Sequence, residues 1–383
     1  MMAPVTLDLI TPEPHNPLFQ RFEALGLPGN KTEQYRHFAI KPLLGRSYTL
    51  RRVAEHAPET GARLVLENGA VTEIPQGCSV TYVSPFAADT GHYDALYFLS
   101  HLMAPVVICL EITADTFLEI RHIVNETQTL LPYRLCISVL PGIRAEVFET
   151  FETDGSDESL LLYGIDAEVQ AHATLRWIRD EYGTASEAAL VGTHRFDVGF
   201  NGALELKTFD FGSVQALHLY KIDLDEYGWC DANHLLMASG ESRRGNVVRI
   251  NHNKPYAKCA QDARTILKDR ATGIFDGLVN VGEAAHYASA HQNSKAVLLD
   301  ANAYMYAKPQ LEIYTDELEA SHGATIGQLD ESALFYLRSR GIAEDEARKM
   351  LVLAFADVLI DGVGEGELAE RIHADFETAY FDE

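Results

Sequence analysis

The chain has 383 residues, a length that allows a large hydrophobic core and two or three structural units. Hydrophobic residues make up 47% and charged residues 23%, which is typical of a folded protein and not of a disordered one. With 31 basic against 56 acidic residues the formal net charge is −25, and so acidic a surface repels phosphate backbones and anionic lipids. We therefore expect no nucleic-acid and no membrane partner.

The same sequence predicts a cytoplasmic protein. Residues 1–17 contain no Lys or Arg and no apolar run of the length that a signal peptide needs. The most apolar stretch, residues 351–360, contains Asp357 and is much shorter than the roughly 20 residues of a membrane span. The cysteines are scattered and odd in number, which argues against a disulfide framework; they are Cys78, Cys109, Cys136, Cys230 and Cys259. A metal site would have to combine distant ligands or borrow some from a partner.

The N-terminal region begins with a clear helix signal. Asn16 can cap a helix that has Pro17 at its first position, and Gly26 follows the apolar run as the residue after the helix. Thr32 can cap a second short helix. Residues 63–74 then predict a β-hairpin, because Asn-Gly at its centre is the strongest short-range signal for a tight turn between two strands.

From about residue 76 to residue 325 the pattern is one of short strands without a convincing long helix. Apolar and polar residues alternate with period two at 204–206, 209–211, 279–281 and 311–313, and Asn and Gly recur between such segments. About 250 residues of this kind favour a sandwich, a propeller or a parallel β-helix. No strict repeat emerges, which is compatible with a β-helix that has irregular turns.

The last 55 residues are predicted to be helical. Asp330 can cap a helix that ends before Gly341, and residues 344–346 place three acidic side chains in the first turn of the next helix. That helix has an apolar stripe formed by Ala347, Met350, Leu351, Ala354, Phe355, Val358 and Leu359. A third helix has apolar residues four apart at 368, 372 and 376, and residues 330–383 contain 14 acidic and 5 basic side chains.

Catalytic motifs are missing from the sequence. It has no G-x-G-x-x-G opening a helix, no G-x-x-x-x-G-K-[ST], no H-E-x-x-H and no G-x-S-x-G. Their joint absence shifts the interpretation towards a binding or scaffold role and away from an enzyme.

Three segments resemble the SufB/SufD family of iron–sulfur cluster assembly proteins. The most informative is 308–342, which resembles the C-terminal signature of that family; residues 275–299 are similar to the preceding coils, and residues 26–35 to the N-terminal entry motif. The resemblance implies a mainly β fold, with a right-handed parallel β-helix core and α-helical N-terminal and C-terminal regions. It divides the chain into an N-terminal helical region with a hairpin (1–80), a β-helix core (81–328) and a C-terminal helical domain for ATPase docking (329–383).

A few residues place the chain nearer the SufD type of the family. Ser321-His322-Gly323 is similar to the SufD form of the signature, whereas SufB-type chains have acidic residues on both sides of this His. SufD-type chains often have Cys where this chain has Ala320, and residues 316–318 are Asp-Glu-Leu in place of the more usual Asp-Asp-Val. A thiolate role at position 320 is therefore lost, while a role for the histidine can remain.

The resemblance also implies partners and a site. It implies pairing with a SufB-type subunit through the β-helix and docking of a SufC-type ATPase on the C-terminal helices. It makes His322 the candidate iron or cluster ligand at the partner interface, since a neutral imidazole is a competent iron ligand. The alternative for His322 is a hydrogen-bonded structural residue at a coil corner. No cofactor is expected on this chain alone, and a transient iron–sulfur cluster is expected only in the complex.

Partner-binding residues are expected in the first C-terminal helix. The candidates are Leu334, Phe335, Tyr336, Arg338 and Arg340, as apolar anchors with arginines at the rim. The alternative is core packing for Leu334 and Phe335 and solvated charge for the two arginines.

Other candidates have simpler interpretations. His252, His286 and His291 could be ligands, but scattered histidines among strands are more often satisfied turn or core residues. Cys230 and Cys259 are 29 residues apart, so stacked coils would place them on neighbouring strands, where the usual role of Cys is that of a small buried hydrophobe.

Two further functions stay open from the sequence. One is a β-helix enzyme acting on carbohydrates or transferring acyl groups, although a lyase would need clustered Asp, Lys and Arg, and a hexapeptide acyltransferase would need a strict six-residue repeat. The other is a self-paired homodimeric scaffold, because β-helix edges can pair about a two-fold axis.

Overall fold

The computed structural model describes residues 2–3, 16–29, 32, 35–51, 58–85, 94–153, 157–183, 188–212 and 215–381. The helices are α1 Pro17–Leu25, α2 Ile40–Leu44, α3 Ala95–Met103, α4 Glu331–Ser339, α5 Glu344–Ile360 and α6 Glu367–Phe381. The strands are β1 Met2–Ala3, β2 Tyr48–Leu50, β3 Glu59–Gly61, β4 Leu64–Glu67, β5 Ala70–Pro75, β6 Val80–Val83, β7 Val107–Ile112, β8 Thr116–Ile123, β9 Thr129–Val139, β10 Arg144–Glu152, β11 Leu160–Val169, β12 Thr174–Gly183, β13 Ala189–Val198, β14 Ala203–Gly212, β15 Gln215–Leu224, β16 Trp229–Ala238, β17 Arg243–His252, β18 Lys258–Leu267, β19 Thr272–Val281, β20 Ala288–Leu298, β21 Tyr304–Ile313 and β22 Leu318–Gly327.

These strands form a parallel β-helix, which confirms the predicted fold class. From β8 to β22 the even-numbered strands join one sheet (the even sheet) and the odd-numbered strands join the other (the odd sheet). Neighbours within this range run parallel and in register, for example Cys230 with Cys259 in the even sheet. Each coil of the chain therefore contributes one strand to each sheet.

The coils differ in length, and this is why the sequence has no strict repeat. In-register partners are 30 residues apart at Arg144 and Thr174, and 31 apart at Lys258 and Ser289. They are only 26 residues apart at Ala189 and Gln215. The strands stay near ten residues long, so the corners absorb the variation.

The predicted hairpin is confirmed. β4 and β5 pair antiparallel around Asn68 and Gly69. Both turn residues have positive φ, 46° and 82°, as a two-residue type I′ turn requires. The hairpin joins the even sheet because β4 also pairs with β8.

The first predicted helix is confirmed in its caps as well as its length. The Asn16 side chain accepts a hydrogen bond from the Leu18 amide, Pro17 opens α1, and Gly26 ends it with φ of 72°. The second helix, predicted to start at Thr32, falls largely on residues outside the described ones.

Apolar side chains form three layers. The largest cluster fills the space between the two sheets. The outer face of the odd sheet is covered by α1, α2 and α3, and the outer face of the even sheet is covered by α5 and α6. The short helix α3 interrupts the region that the sequence analysis described as strands.

Of the C-terminal helices, α4 begins and ends, and α5 begins, where the sequence predicts. Asp330 caps α4 by accepting from the amides of Ser332 and Ala333, and Gly341 follows the helix with φ of 90°. α5 starts with the three predicted acidic residues, and α6 buries Ile372 and Phe376.

The predicted apolar stripe of α5, however, matches its buried face only in part: Ala347 and Leu359 are buried as predicted. Val352, Ala356 and Ile360 are buried, whereas Met350 and Val358 are 42% and 53% exposed. α5 is apolar around most of its circumference, so periodicity alone did not indicate which face packs on the sheet.

Among the described residues, no helix combines the length and the apolar character needed to span a membrane. The division of the chain at residues 80 and 328 remains a prediction.

Candidate functional site

His322 lies at the C-terminal end of the β-helix. It is an exposed residue near the middle of β22, which is the last strand of the even sheet. Its in-register neighbour is Gln292, whose own neighbour is Gln261; both are buried inside the β-helix, and their amides hydrogen bond at 2.8 Å. His322 therefore occupies the next position of an interior column, at the point where the column reaches solvent.

No hydrogen bond to the His322 imidazole is found within the part of the chain that the structure describes. His322 lies within a strand and not at a coil corner. Its ring is thus available to an external ligand or partner, as the predicted role requires.

A cleft of about 410 Å³ lies beside His322. Its lining includes Asp231, Asp262, His291 and Ser321 as well as His322. These side chains offer carboxylate, imidazole and hydroxyl donors, a set suited to a divalent transition metal or to hydrogen bonding with a partner. No three of these residues bring potential metal-ligand atoms within 4.8 Å of one another, so a metal bound here would need ligands from elsewhere.

Of the other candidate histidines, the structure brings only His291 to this cleft. His291 Nδ1 is 2.9 Å from the Ser321 hydroxyl. His286 is exposed and lies 3.0 Å from the Thr315 hydroxyl. His252 is buried in the β-helix, where burial lowers its pKa to about 4 and its Nε2 lies 3.1 Å from the Cys259 sulfur.

The two cysteines predicted to stack do so. Cys230 and Cys259 are in-register neighbours on β16 and β18, and both lie in the interior apolar cluster. Burial raises the pKa of the Cys259 thiol to about 12. Both cysteines therefore act as small buried hydrophobes.

Sequence reasoning missed a buried ionic network between the two sheets. Within the described ranges, Glu181, Asp210 and His218 are the one group of three potential metal ligands whose donor atoms lie within 4.8 Å of one another. Each carboxylate already has a guanidinium partner, at 2.5 Å in both cases: Arg244 for Glu181 and Arg179 for Asp210.

The electrostatics of this network favour ion pairs over a metal. Burial is the largest influence on the pKa of Asp210 and raises it, but Arg179, His218 and Arg244 together outweigh burial, so the net shift is downward. Burial likewise opposes ionisation of Glu181, but Arg244 and then His218 lower its pKa. Two carboxylates and two guanidiniums cancel in charge, so a cation would add an uncompensated charge to the buried interior.

The five candidate partner-binding residues divide between core and surface. Leu334 is buried and holds α4 in place, so it is not a docking residue in this conformation. Phe335 and Tyr336 are 73% and 56% exposed, and the Arg340 guanidinium lies 5.2 Å from the centroid of the Tyr336 ring. Arg338 pairs with Glu344 at 3.4 Å near solvent.

Two apolar side chains of α5 are also exposed, Met350 and Val358, which the sequence analysis placed in the apolar stripe without predicting their exposure. Met350 and Val358 remain exposed because α5 turns its other apolar face to the even sheet. Exposed apolar side chains on neighbouring helices are typical of a protein–protein contact. We call Phe335, Tyr336, Met350 and Val358 the terminal-helix surface.

Comparison with known protein families gives one match over most of this fold. The family model described as "SUF system FeS cluster assembly, SufBD core domain" matches residues 122–355. The matched range contains β9 to β22, the cleft beside His322, α4 and most of α5.

Individual relatives match over shorter stretches. The iron–sulfur cluster assembly protein SufD of Escherichia coli (strain K12) is 37% identical over 125 residues, which are 33% of this chain and 30% of that protein. SufD of Bacillus subtilis (strain 168) is 30% identical over 128 residues, 33% of this chain and 29% of the relative. An iron–sulfur cluster assembly SufBD family protein of Staphylococcus saprophyticus is 23% identical over 222 residues, 58% of this chain and 46% of the relative. Each match thus spans less than half of the relative.

Proposed function

This chain belongs to the SufBD core family of the SUF system for iron–sulfur cluster assembly, and on that premise we propose that it is a non-enzymatic scaffold subunit of a SufBCD-type complex. In this proposal the β-helix pairs with a SufB-type subunit, and the terminal helices dock a SufC-type ATPase. The catalytic step, ATP hydrolysis, belongs to the partner.

The terminal-helix surface carries the docking half of the proposal. Leu334 already anchors α4 in the core, so the packing of α4 does not explain why Phe335 is an aromatic residue at an exposed position. An aromatic side chain that is 73% exposed costs solubility unless a partner covers it. Large aromatic anchors beside arginine are also the residue types that carry most binding energy in protein interfaces.

Copurification tests the docking. The chain is coexpressed with the SufC-type ATPase of its own host, and Phe335→Ser is compared with Phe117→Ser. Phe117 is a matched control because it is also an exposed aromatic, at 55%, but lies on β8. We expect Phe335→Ser to weaken ATPase binding at least about tenfold, the scale of a hot-spot residue. Equal binding by the two variants would contradict the docking surface.

We place the cluster-related role at His322. Its imidazole is exposed at the end of an interior polar column, beside a cleft with further oxygen and nitrogen donors. A subunit that pairs with this end of the β-helix would bring its own ligands to the same cleft. Iron or a nascent cluster is here the cargo of the complex, and the chain alone holds no cofactor.

Cluster formation in the assembled complex tests this role. We expect His322→Ala to abolish anaerobic cluster formation, followed by its visible absorption, while the complex still assembles. His286→Ala is the matched control, because His286 is also exposed but points to Thr315 and lies outside the cleft lining. Normal cluster loading by His322→Ala would refute the role; loss in both variants would show that the effect is not specific to this position.

The open edge of β22 supports pairing with another β-helix. β22 ends the even sheet, and an end strand has backbone groups that can pair with a partner's strand. A SufB-type subunit and a second copy of this chain could use the same edge. Sedimentation of the chain alone and with a SufB-type subunit distinguishes heterodimer from homodimer. A heterodimer that forms at the expense of any homodimer supports the proposal.

The proposed compartment is the cytoplasm.

A further inference from the structure

Cys109 and Cys136 form a pair of thiols outside the candidate site. They are in-register neighbours on the parallel strands β7 and β9 of the odd sheet, and β7 pairs on its other side with β6. Both are half-buried and free. The other described cysteines differ: Cys78 is exposed, and Cys230 and Cys259 are buried.

The backbone places the two sulfurs close enough to bond. Adjacent strands are about 4.8 Å apart, and disulfides span Cα–Cα distances of about 4.4–6.8 Å. The two thiols are also near enough for each to change the pKa of the other. A disulfide between them would therefore need only a change of side-chain rotamer and a small approach of two strands that are already paired.

The two thiols differ chemically in a way that orders their reactions. The hydrogen bond from Cys136 lowers the pKa of Cys109, so Cys109 is the more readily ionised thiol of the pair. That same hydrogen bond, then burial, then the charge of Cys109 raise the pKa of Cys136. Once the Cys109 sulfur is bonded to another sulfur it has no negative charge, so two of the three largest causes that hold the proton on Cys136 disappear.

We propose that Cys109 and Cys136 form a thiol–disulfide exchange site that reacts with low-molecular-weight disulfides, with Cys109 as the attacking residue and Cys136 as the resolving residue. The Cys109 thiolate attacks one sulfur of the small disulfide, forming a mixed disulfide and releasing one thiolate, which takes up a proton. Cys136 then loses its proton and attacks the Cys109 sulfur, and the second small thiolate leaves and is protonated. One small disulfide is reduced to two thiols, and two cysteine thiols become one disulfide that joins β7 to β9.

The experiment uses the full, reduced chain with oxidised glutathione as the probe, followed by alkylation, digestion and mass spectrometry. The wild type should yield a Cys109–Cys136 linked peptide. Cys136→Ser should accumulate a glutathione adduct on Cys109, because no resolving thiol remains. In Cys109→Ser, Cys136 should form its adduct at least about tenfold more slowly than Cys109 does in Cys136→Ser. Cys78→Ser is the control and should still form the linked peptide.

Two results would overturn the proposal. One is the absence of a linked peptide in the wild type while Cys78 reacts; the other is equal reactivity of Cys109 and Cys136 in the two single variants. A measurement on the wild type guards against misfolded variants: alkylation of Cys109 should accelerate at lower pH than alkylation of Cys136 in the same molecule. The reverse order would reject the assigned roles.

Discussion

Replacing Arg179 by Met tests the buried ionic network of the β-helix directly. The Arg179 guanidinium donates to Asp210 and Tyr220, both at 2.5 Å, and lies 2.8 Å from His218 Nδ1. Methionine keeps much of the length and volume of the side chain, so the substitution removes mainly the charge and the donors. Asp210 is then left in the interior with a hydrogen bond from Asn246 but without a directly bonded guanidinium.

The burial of the pair sets the expected magnitude. The Arg179 and Asp210 side chains are 1% and 2% exposed, so solvent screens neither charge. Breaking such a pair by removing one partner costs about 3–5 kcal/mol of unfolding free energy, because the remaining charge is uncompensated. Asp210 can reduce the cost by taking up a proton, and the loss should therefore be smaller at acidic pH, where a protonated Asp210 needs no cation.

Urea denaturation followed by circular dichroism measures this loss. The matched control is Arg270→Met, because Arg270 pairs with Glu241 where the two side chains are 68% and 72% exposed, and such pairs contribute at most about 1 kcal/mol. The double variant Arg179→Met with Asp210→Leu should recover part of the single loss, with a coupling of about 1–3 kcal/mol. An Arg179→Met loss no larger than that of Arg270→Met would refute the reasoning.

Two further predictions concern packing around the sheets. Burial and then the nearby Asp375 carboxylate raise the pKa of Asp180, so the folded protein favours the protonated form of this residue. The stability of the folded protein that depends on this protonated form is present at acidic pH and is lost as pH rises through the raised pKa. Asp180→Asn should therefore raise the thermal midpoint more at pH 8 than at pH 5; an equal effect at both would contradict the shift. Gly164→Ala would place its Cβ 2.2 Å from the Thr193 carbonyl oxygen and should cost about 1–3 kcal/mol of unfolding free energy in urea, whereas Gly327→Ala meets no atom within 4 Å and should cost little; equal losses would count against the crowding.

The features that the sequence predicted well are those that neighbouring residues determine. The turn at Asn68-Gly69 follows from the left-handed backbone that both residues tolerate, and the caps at Asn16 and Asp330 follow from side-chain oxygens that reach the next amides. Each of these interactions spans at most three residues. Local sequence therefore contains all the information that they need.

The features that it missed depend on which segments meet in space. Arg179 pairs with Asp210 from a strand one coil away, and its burial depends on the closure of both sheets. Similarly, α5 has apolar residues on more than one face, and the even sheet selects Val352 and Ile360 over Met350 and Val358. Periodicity cannot indicate which face of α5 is buried, because both faces satisfy the same helical spacing.

The family resemblance supplied His322 and α4 as separate candidates, and the structure connects them. β22 ends at Gly327 and α4 begins at Glu331, so three residues separate the strand that contains His322 from the proposed ATPase-docking helix. Leu334 anchors that helix in the protein while Phe335 faces outward. On the proposed function, a connection of three residues is too short for α4 to move independently of β22. A partner that shifts α4 would therefore also shift the end strand beside the cleft. A scaffold built in this way could couple ATP hydrolysis to the cluster site without a catalytic residue of its own.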